Sequence, residues 1–147
     1  MVRILKKRFP FKRFVLIGLI ALLAFGCTQE KKHAAVKRYA SITGLKAEKL
    51  SYYKKLHAEA WPAVLQKIKE CHIQNYSIFL KEIAGEYYLF SYFEYTGTDF
   101  SSDMQRMAAD AETQRWWKET DPCQNPLPEA KEKSAIWSDM TEVFHTD

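Results

Sequence analysis

The stretch that decides the fold is Tyr87-Tyr88-Leu89-Phe90-Ser91-Tyr92-Phe93-Glu94-Tyr95. Aromatic and apolar residues so concentrated, without Pro or Gly, form the strongest strand signal in the chain. Just upstream, Asn75 to Glu82 (NYSIFLKE) alternates, with Tyr76, Ile78 and Leu80 on one side. Ala84-Gly85 separates the two runs, which therefore read as an antiparallel hairpin.

Outward from the hairpin, Val36 to Leu45 (VKRYASITGL) reads as a first strand closed by Gly44. From Lys46 the period becomes helical, and Leu50, Tyr53 and His57 fall on one face. Pro62 ends that helix near Ala60 and opens a second, with Val64, Leu65, Ile68 and Cys71 as its apolar stripe. Beyond the hairpin, Phe100, Met104 and Met107 mark another helix, and Glu112 to Glu119 one more, capped by Asp110. Thr120 to Trp137 holds Pro122, Pro126 and Pro128 and reads as a long loop, and Ser138 to His145 as a last strand. The order is β, α(α), β, β, α(α), β. It predicts an α+β, ferredoxin-like βαββαβ fold with split helices on one face of a four-stranded antiparallel sheet. The aromatic residues on the other face call for a covering, either a dimer partner or a ligand.

The chain has 147 residues, 47% hydrophobic, 14% aromatic and 27% charged, which excludes a disordered tail and suits one domain. Met1 to Gly26 carries Arg3, Lys6, Lys7, Arg8, Lys12 and Arg13 and no acid. Setting that stretch aside turns the formal net charge of +4 into −2. So mild an acidity gives no ground for a nucleic-acid partner, which needs a concentrated cationic face. The apolar run Phe14 to Phe25 is short for a spanning helix and follows a cationic start, as in a secretory signal peptide. Leu23-Ala24-Phe25-Gly26-Cys27 resembles a bacterial lipoprotein signal, with Cys27 as the lipidated residue. The expected organisation is a signal peptide over 1–26, a polar tether over 27–36 and a domain over 37–147. The expected location is the cell envelope, anchored to the membrane by lipid; an uncleaved anchor or an ordinary cut are the other readings. Export would permit a disulfide, but spacing does not pair Cys71 with Cys123, and two separate thiols is the preferred reading. Asn75-Tyr76-Ser77 fits the glycosylation triplet by chance only.

His33, His57, His72 and His145 are scattered and give no metal-ligand spacing. No glycine-rich phosphate loop or serine elbow is present, which sets phosphoryl and acyl transfer aside. Tyr53 and His57, one helical turn apart, put a phenol and an imidazole on one face; on pattern alone, structural packing is the favoured use of such a face. Trp116 and Trp117 point about 100° apart on a helix, so one can pack inward while the other lines a cleft. Tyr76 alone reads as a routine core aromatic.

From about Arg38 to His145 the chain resembles the L-rhamnose mutarotases. The segments that carry the resemblance are Tyr53-Lys54-Lys55-Leu56-His57 with Trp61-Pro62, Asn75-Tyr76-Ser77-Ile78-Phe79-Leu80, Gln114-Arg115-Trp116-Trp117 and Glu142-Val143-Phe144. The resemblance implies a homodimeric α/β barrel with its site over the sheet. It implies an isomerase that interconverts the α and β anomers of L-rhamnose or a related 6-deoxy sugar without metal or cofactor. His57 would be the general acid, and Tyr53, Tyr76, Trp116 and Trp117 would bind the sugar. A non-catalytic sugar-binding lipoprotein and a small monooxygenase of the same barrel type are the alternatives. Typical members lack a leader, and the loop Asp121 to Leu127 departs from the enteric pattern.

Overall fold

The computed structural model describes residues 36–146. The expectations for the signal peptide, the tether and Cys27 fall on residues outside this range.

The first strand, β1 (Lys37–Leu45), is the organising strand. Along one edge it pairs antiparallel with β3 (Glu86–Tyr95), from Lys37 opposite Tyr95 to Leu45 opposite Tyr87. β3 in turn pairs with β2 (Ile73–Ile83), and the two-residue turn between them is Ala84-Gly85. Both turn residues have positive φ, +52° and +85°, as the favoured tight hairpin turns require. Between Gln74 and Ser77 the register slips by one residue, with Asn75 at φ +50°. This bulge turns the start of β2 beside Tyr76.

Because facing residues of paired strands share a face, the sheet sorts cleanly. Tyr39, Ser41, Thr43 and Leu45 of β1 lie with Tyr87, Leu89, Ser91 and Phe93 of β3. The helices cover this side: α1 (Leu50–Ala58), α2 (Pro62–Glu70), α3 (Phe100–Ala108) and α4 (Ala111–Thr120). Pro62 stands in the first turn of α2, where its missing N–H costs nothing. Asp99 caps α3 through the Ser102 amide at 3.0 Å, and Asp110 caps α4 through the Thr113 amide at 2.9 Å. Leu45, Tyr53, Leu89 and Cys123 form the buried core, with Leu50, Ile78, Tyr87 and Trp137 packed against it.

Two expectations need correction. Thr120 to Trp137 is not a plain loop: a 3₁₀ turn (Asp121–Cys123), β4 (Gln124–Asn125) and α5 (Pro128–Glu132) follow α4. The last strand, β5 (Ser138–Met140), stops well short of His145. β4 and β5 share the second edge of β1, so five strands form the sheet. The prolines misled because two residues of pairing carry no periodicity of their own. Gly44 makes the pairing possible, since a Cβ there would stand 2.5 Å from the Asn125 carbonyl oxygen. Past β5 the chain is held by Arg38, whose guanidinium donates to Glu142 at 2.7 and 3.1 Å. Cys71 and Cys123 are buried and free.

A polar staple ties α3 to the sheet. The Tyr95 hydroxyl, fully buried, donates to Asp103 Oδ2 at 2.7 Å, and Arg106 and His72 also engage that carboxylate. The Tyr95 bond first, with Arg106 and His72 behind it, holds the Asp103 carboxyl down to about 2 from an ordinary 3.8. The folded form therefore prefers the carboxylate, and this stability is present above pH 3.8 and lost as pH falls through about 2. Asp103→Ala should lower unfolding stability at pH 7 by about 1–3 kcal/mol, because it strands a buried phenol. Urea titrations of both proteins should show the difference shrinking between pH 4 and pH 2; a difference constant over that window refutes the assignment.

Candidate active site

The residues singled out in the sequence meet where α1 and α4 cross the sheet. Tyr53 and His57 come from α1, and their rings lie 4.1 Å apart, centre to centre. Trp116 of α4 meets the His57 ring edge-on at 5.2 Å. Trp61, at the start of α2, backs Trp116 edge-on at 5.4 Å and carries the Arg115 guanidinium over its own ring at 5.2 Å. As the 100° spacing requires, the tryptophans divide: Trp116 is 8% exposed and Trp117 37%.

Tyr53, His57 and Trp116 form a wall between two hollows. The larger, about 820 Å³, is mainly apolar, with Val64, Leu65 and Ile68 of α2 facing Tyr76, Ile78 and Leu80 of β2. The smaller, about 300 Å³, adds Trp117, Thr120, Asp121, Gln124, Ile136 and Trp137 to the shared wall. Each hollow therefore holds four of the five expected site residues: Tyr53, His57 and Trp116 border both, Trp117 adds to the smaller and Tyr76 to the larger. Tyr76 is no routine core residue. Its ring is 43% exposed, while its hydroxyl turns inward to Ser91.

The protonation states follow from these surroundings. His57 Nδ1 lies 3.0 Å from the Tyr53 carbonyl oxygen. A carbonyl only accepts, so Nδ1 carries the hydrogen and Nε2 is left for the chemistry. Burial lowers the imidazole from its ordinary 6.5, and the carbonyl contact opposes that shift. Burial first, and then the charge of Tyr76, pushes the Tyr53 phenol well up, so it remains a hydrogen-bond donor at any physiological pH. Burial also raises the Asp121 carboxyl, against the pull of the neighbouring Thr120 hydroxyl. Among the described residues no group of three His, Cys, Asp or Glu is arranged to hold a metal ion.

Sequence reasoning missed Asp121, Gln124 and Trp137, which border the smaller hollow. All three come from the segment read as a loop; Asp121 and Gln124 had only their closeness to Trp116-Trp117 as a sequence signal, and Trp137 had none. Gln124 is 4% exposed; its amide hydrogen-bonds the Tyr53 phenol, while its Oε1 finds no partner among the described residues. Such an atom carries a desolvation cost. Gln124→Met, close in shape, removes that cost but also takes the partner from the buried Tyr53 phenol, so the two effects offset and stability is expected to change by less than about 1 kcal/mol. It should still slow sugar turnover by releasing Tyr53. Paired melting and turnover measurements check this, and a variant both unstable and fully active contradicts it.

Residues 38–146 match the model of the L-rhamnose mutarotase family. The chain belongs to that family. The L-rhamnose mutarotase of Oceanobacillus iheyensis is 33% identical over 112 residues, 76% of this chain and 100% of the relative. That of Bacillus subtilis is 34% identical over 113 residues, with 76% and 100% covered. The crystal structure of an L-rhamnose mutarotase from Formosa agariphila superimposes with a TM-score of 0.56 over 76% of this chain and 99% of its own, at 23% identity. This last likeness concerns the fold, and it agrees with the α+β arrangement expected from the hairpin.

The mutarotase relatives overturn one expectation. Their whole length is taken up by the match, with nothing left over to correspond to an export leader. Among the described residues no helix is long and apolar enough to cross a membrane. The reading as a signal-bearing lipoprotein, exported to the envelope and anchored through Cys27, is corrected accordingly.

Proposed function

We propose that this chain interconverts the α and β anomers of L-rhamnose or a related 6-deoxy sugar in the smaller hollow. The observation that carries this reading is the meeting of His57, Tyr53, Trp116, Trp117 and Trp137 around a hollow of about 300 Å³. Indole faces suit the C–H surfaces of a pyranose, and phenols orient its hydroxyls. In the reaction, a proton is delivered to the ring oxygen and one is taken from the anomeric hydroxyl. The ring opens to the aldehyde, which turns about C1–C2 and recloses on its other face. His57 is the proton donor, giving a proton from Nε2 as imidazolium and recovering it on closure. Such help is worth about 10²–10⁴-fold. Because burial lowers the imidazole, the donor form gains as pH falls toward the ordinary His value of 6.5 and below. Tyr53, Trp116 and Trp117 hold the sugar, with Tyr76 across the shared wall in the larger hollow. The test is saturation-transfer NMR on L-rhamnose at anomeric equilibrium: the protein should raise the exchange rate well above buffer. No acceleration for any 6-deoxyhexose refutes the reading.

The partner proposed is a second copy of the chain. On the side of the sheet away from the helices, Phe79, Ile83 and Met140 are 61%, 47% and 45% exposed, beside Ile42 and Phe90. An apolar face of that kind marks an interaction surface. Sedimentation should give twice the chain mass, and Phe79→Asp should shift it toward the single-chain value. A parent that sediments as one chain at micromolar concentration refutes the dimer.

A further inference from the structure

Ring opening needs two proton transfers, and the smaller hollow holds few groups able to make them. Of its lining residues only Tyr53, His57 and Asp121 titrate. Burial keeps the Tyr53 phenol protonated throughout, so His57 and Asp121 are left.

Asp121 is also an acid that the fold does not require. It directly follows α4 and opens the 3₁₀ turn Asp121–Cys123, so it stands at the junction of the two. It lies four residues beyond Trp117, one helical turn along, so both reach the same hollow. Among the described residues no salt bridge includes it. The nearby cation Lys46 is spent elsewhere, donating to the Pro122 carbonyl at 2.8 Å. Glu119, the other acid of this turn, is taken by the Tyr52 hydroxyl at 2.6 Å. Asp121 is near enough to the Tyr53 phenol for its charge to be felt there. A half-buried carboxylate that lines the same hollow as an imidazole, with the Thr120 hydroxyl and, among the described residues, no cation beside it, is placed for proton transfer.

We infer that Asp121 is the second proton-transfer residue of the hollow, acting opposite His57. The inference rests on the mutarotase reading above. In the step, the anomeric O–H bond breaks and its proton passes to the Asp121 carboxylate. The electron pair left on oxygen forms the C1=O bond as the C1–O5 bond breaks. The pair from that bond goes to O5, which takes the proton of the His57 imidazolium. After rotation about C1–C2 the transfers reverse, so both groups return to their starting states and no co-reactant is consumed. The two groups titrate toward each other: burial lifts Asp121 above 3.8 and drops His57 below 6.5. Activity should therefore rise with pH through the Asp121 value and fall through the His57 value, with its optimum on the acid side of neutral. Tyr53 is the remaining titratable group of the lining; Tyr76 and Cys123 act on it by charge, and Lys46, Lys49 and Glu119 act on Cys123.

The experiment measures anomeric exchange of L-rhamnose by saturation transfer from pH 4 to pH 8, for the full chain and for Asp121→Asn, with sugar affinity from calorimetry. The expected result is about a 10²-fold loss of exchange in Asp121→Asn with affinity changed less than threefold, and loss of the acid limb of the profile. Asp121→Glu should restore part of the rate with the acid limb displaced; it also serves if the Asn variant fails to fold by circular dichroism. An Asn variant within twofold of the parent, one that keeps the same acid limb, or one that loses sugar affinity in proportion to rate overturns the inference. If the parent itself does not accelerate exchange, the mutarotase reading has failed, a result separate from these.

Discussion

His57→Ala should remove most of the acceleration of L-rhamnose anomer exchange, a loss of about 10²–10⁴-fold at saturating sugar. The imidazole is placed by two contacts that alanine cannot reproduce: the Nδ1 bond to the Tyr53 carbonyl and the edge-on approach of Trp116. The first fixes the tautomer, so Nε2 alone is offered to the sugar. The loss should fall on turnover and not on affinity, because Tyr53 and the tryptophans, proposed above to hold the pyranose, remain. Turnover from saturation transfer and affinity from calorimetry would separate the two, with circular dichroism to confirm folding. Exchange unchanged in the variant would remove His57 from the mechanism. Added imidazole that restores part of the rate would support the role from the other direction.

The largest effect on stability is expected at Trp116→Ala. Trp116 is 8% exposed and touches both His57 and Trp61 through edge-on ring contacts. Loss of a buried indole costs about 3–5 kcal/mol through lost transfer energy and the cavity left behind. Here the cavity joins two existing hollows, since Trp116 belongs to the wall between them. The wall therefore has little means of collapsing, and the upper part of that range is expected. Trp117→Ala, at a residue 37% exposed, should cost far less stability and show itself in weaker sugar binding. Urea unfolding followed by circular dichroism measures both. Equal costs at the two positions would contradict the division of labour between the tryptophans.

The hairpin Ile73–Ile83 and Glu86–Tyr95 was legible because its turn and its aromatic density are local features. The same holds for α2, which Pro62 opens, and for α4, which Asp110 caps. Tyr53, His57 and Trp116 could be named because helical spacing puts the first two on one face, and the family resemblance then gave the three a role. The border of the smaller hollow was not legible at Asp121, Gln124 and Trp137. Asp121 and Gln124 reach it through the 3₁₀ turn and the two-residue pairing against Gly44 and Leu45, and Trp137 through the short pairing of β5 that follows it, none of which periodicity reveals. The leader was over-read for the opposite reason: a local pattern was legible there, but the curated relatives give it no counterpart.

By itself the sequence determined the kinds and order of the main elements and the face that carries Tyr53 and His57, since side-chain period and turn chemistry act between near neighbours. The tertiary structure placed His57 in the wall between two hollows, with Tyr76 on the larger and Trp117 on the smaller. It also brought Asp121 and Gln124 to the same rim as the imidazole. Those outcomes depend on strand pairing and helix crossing between residues far apart in the chain, where contact energy and not local conformational preference selects the partner.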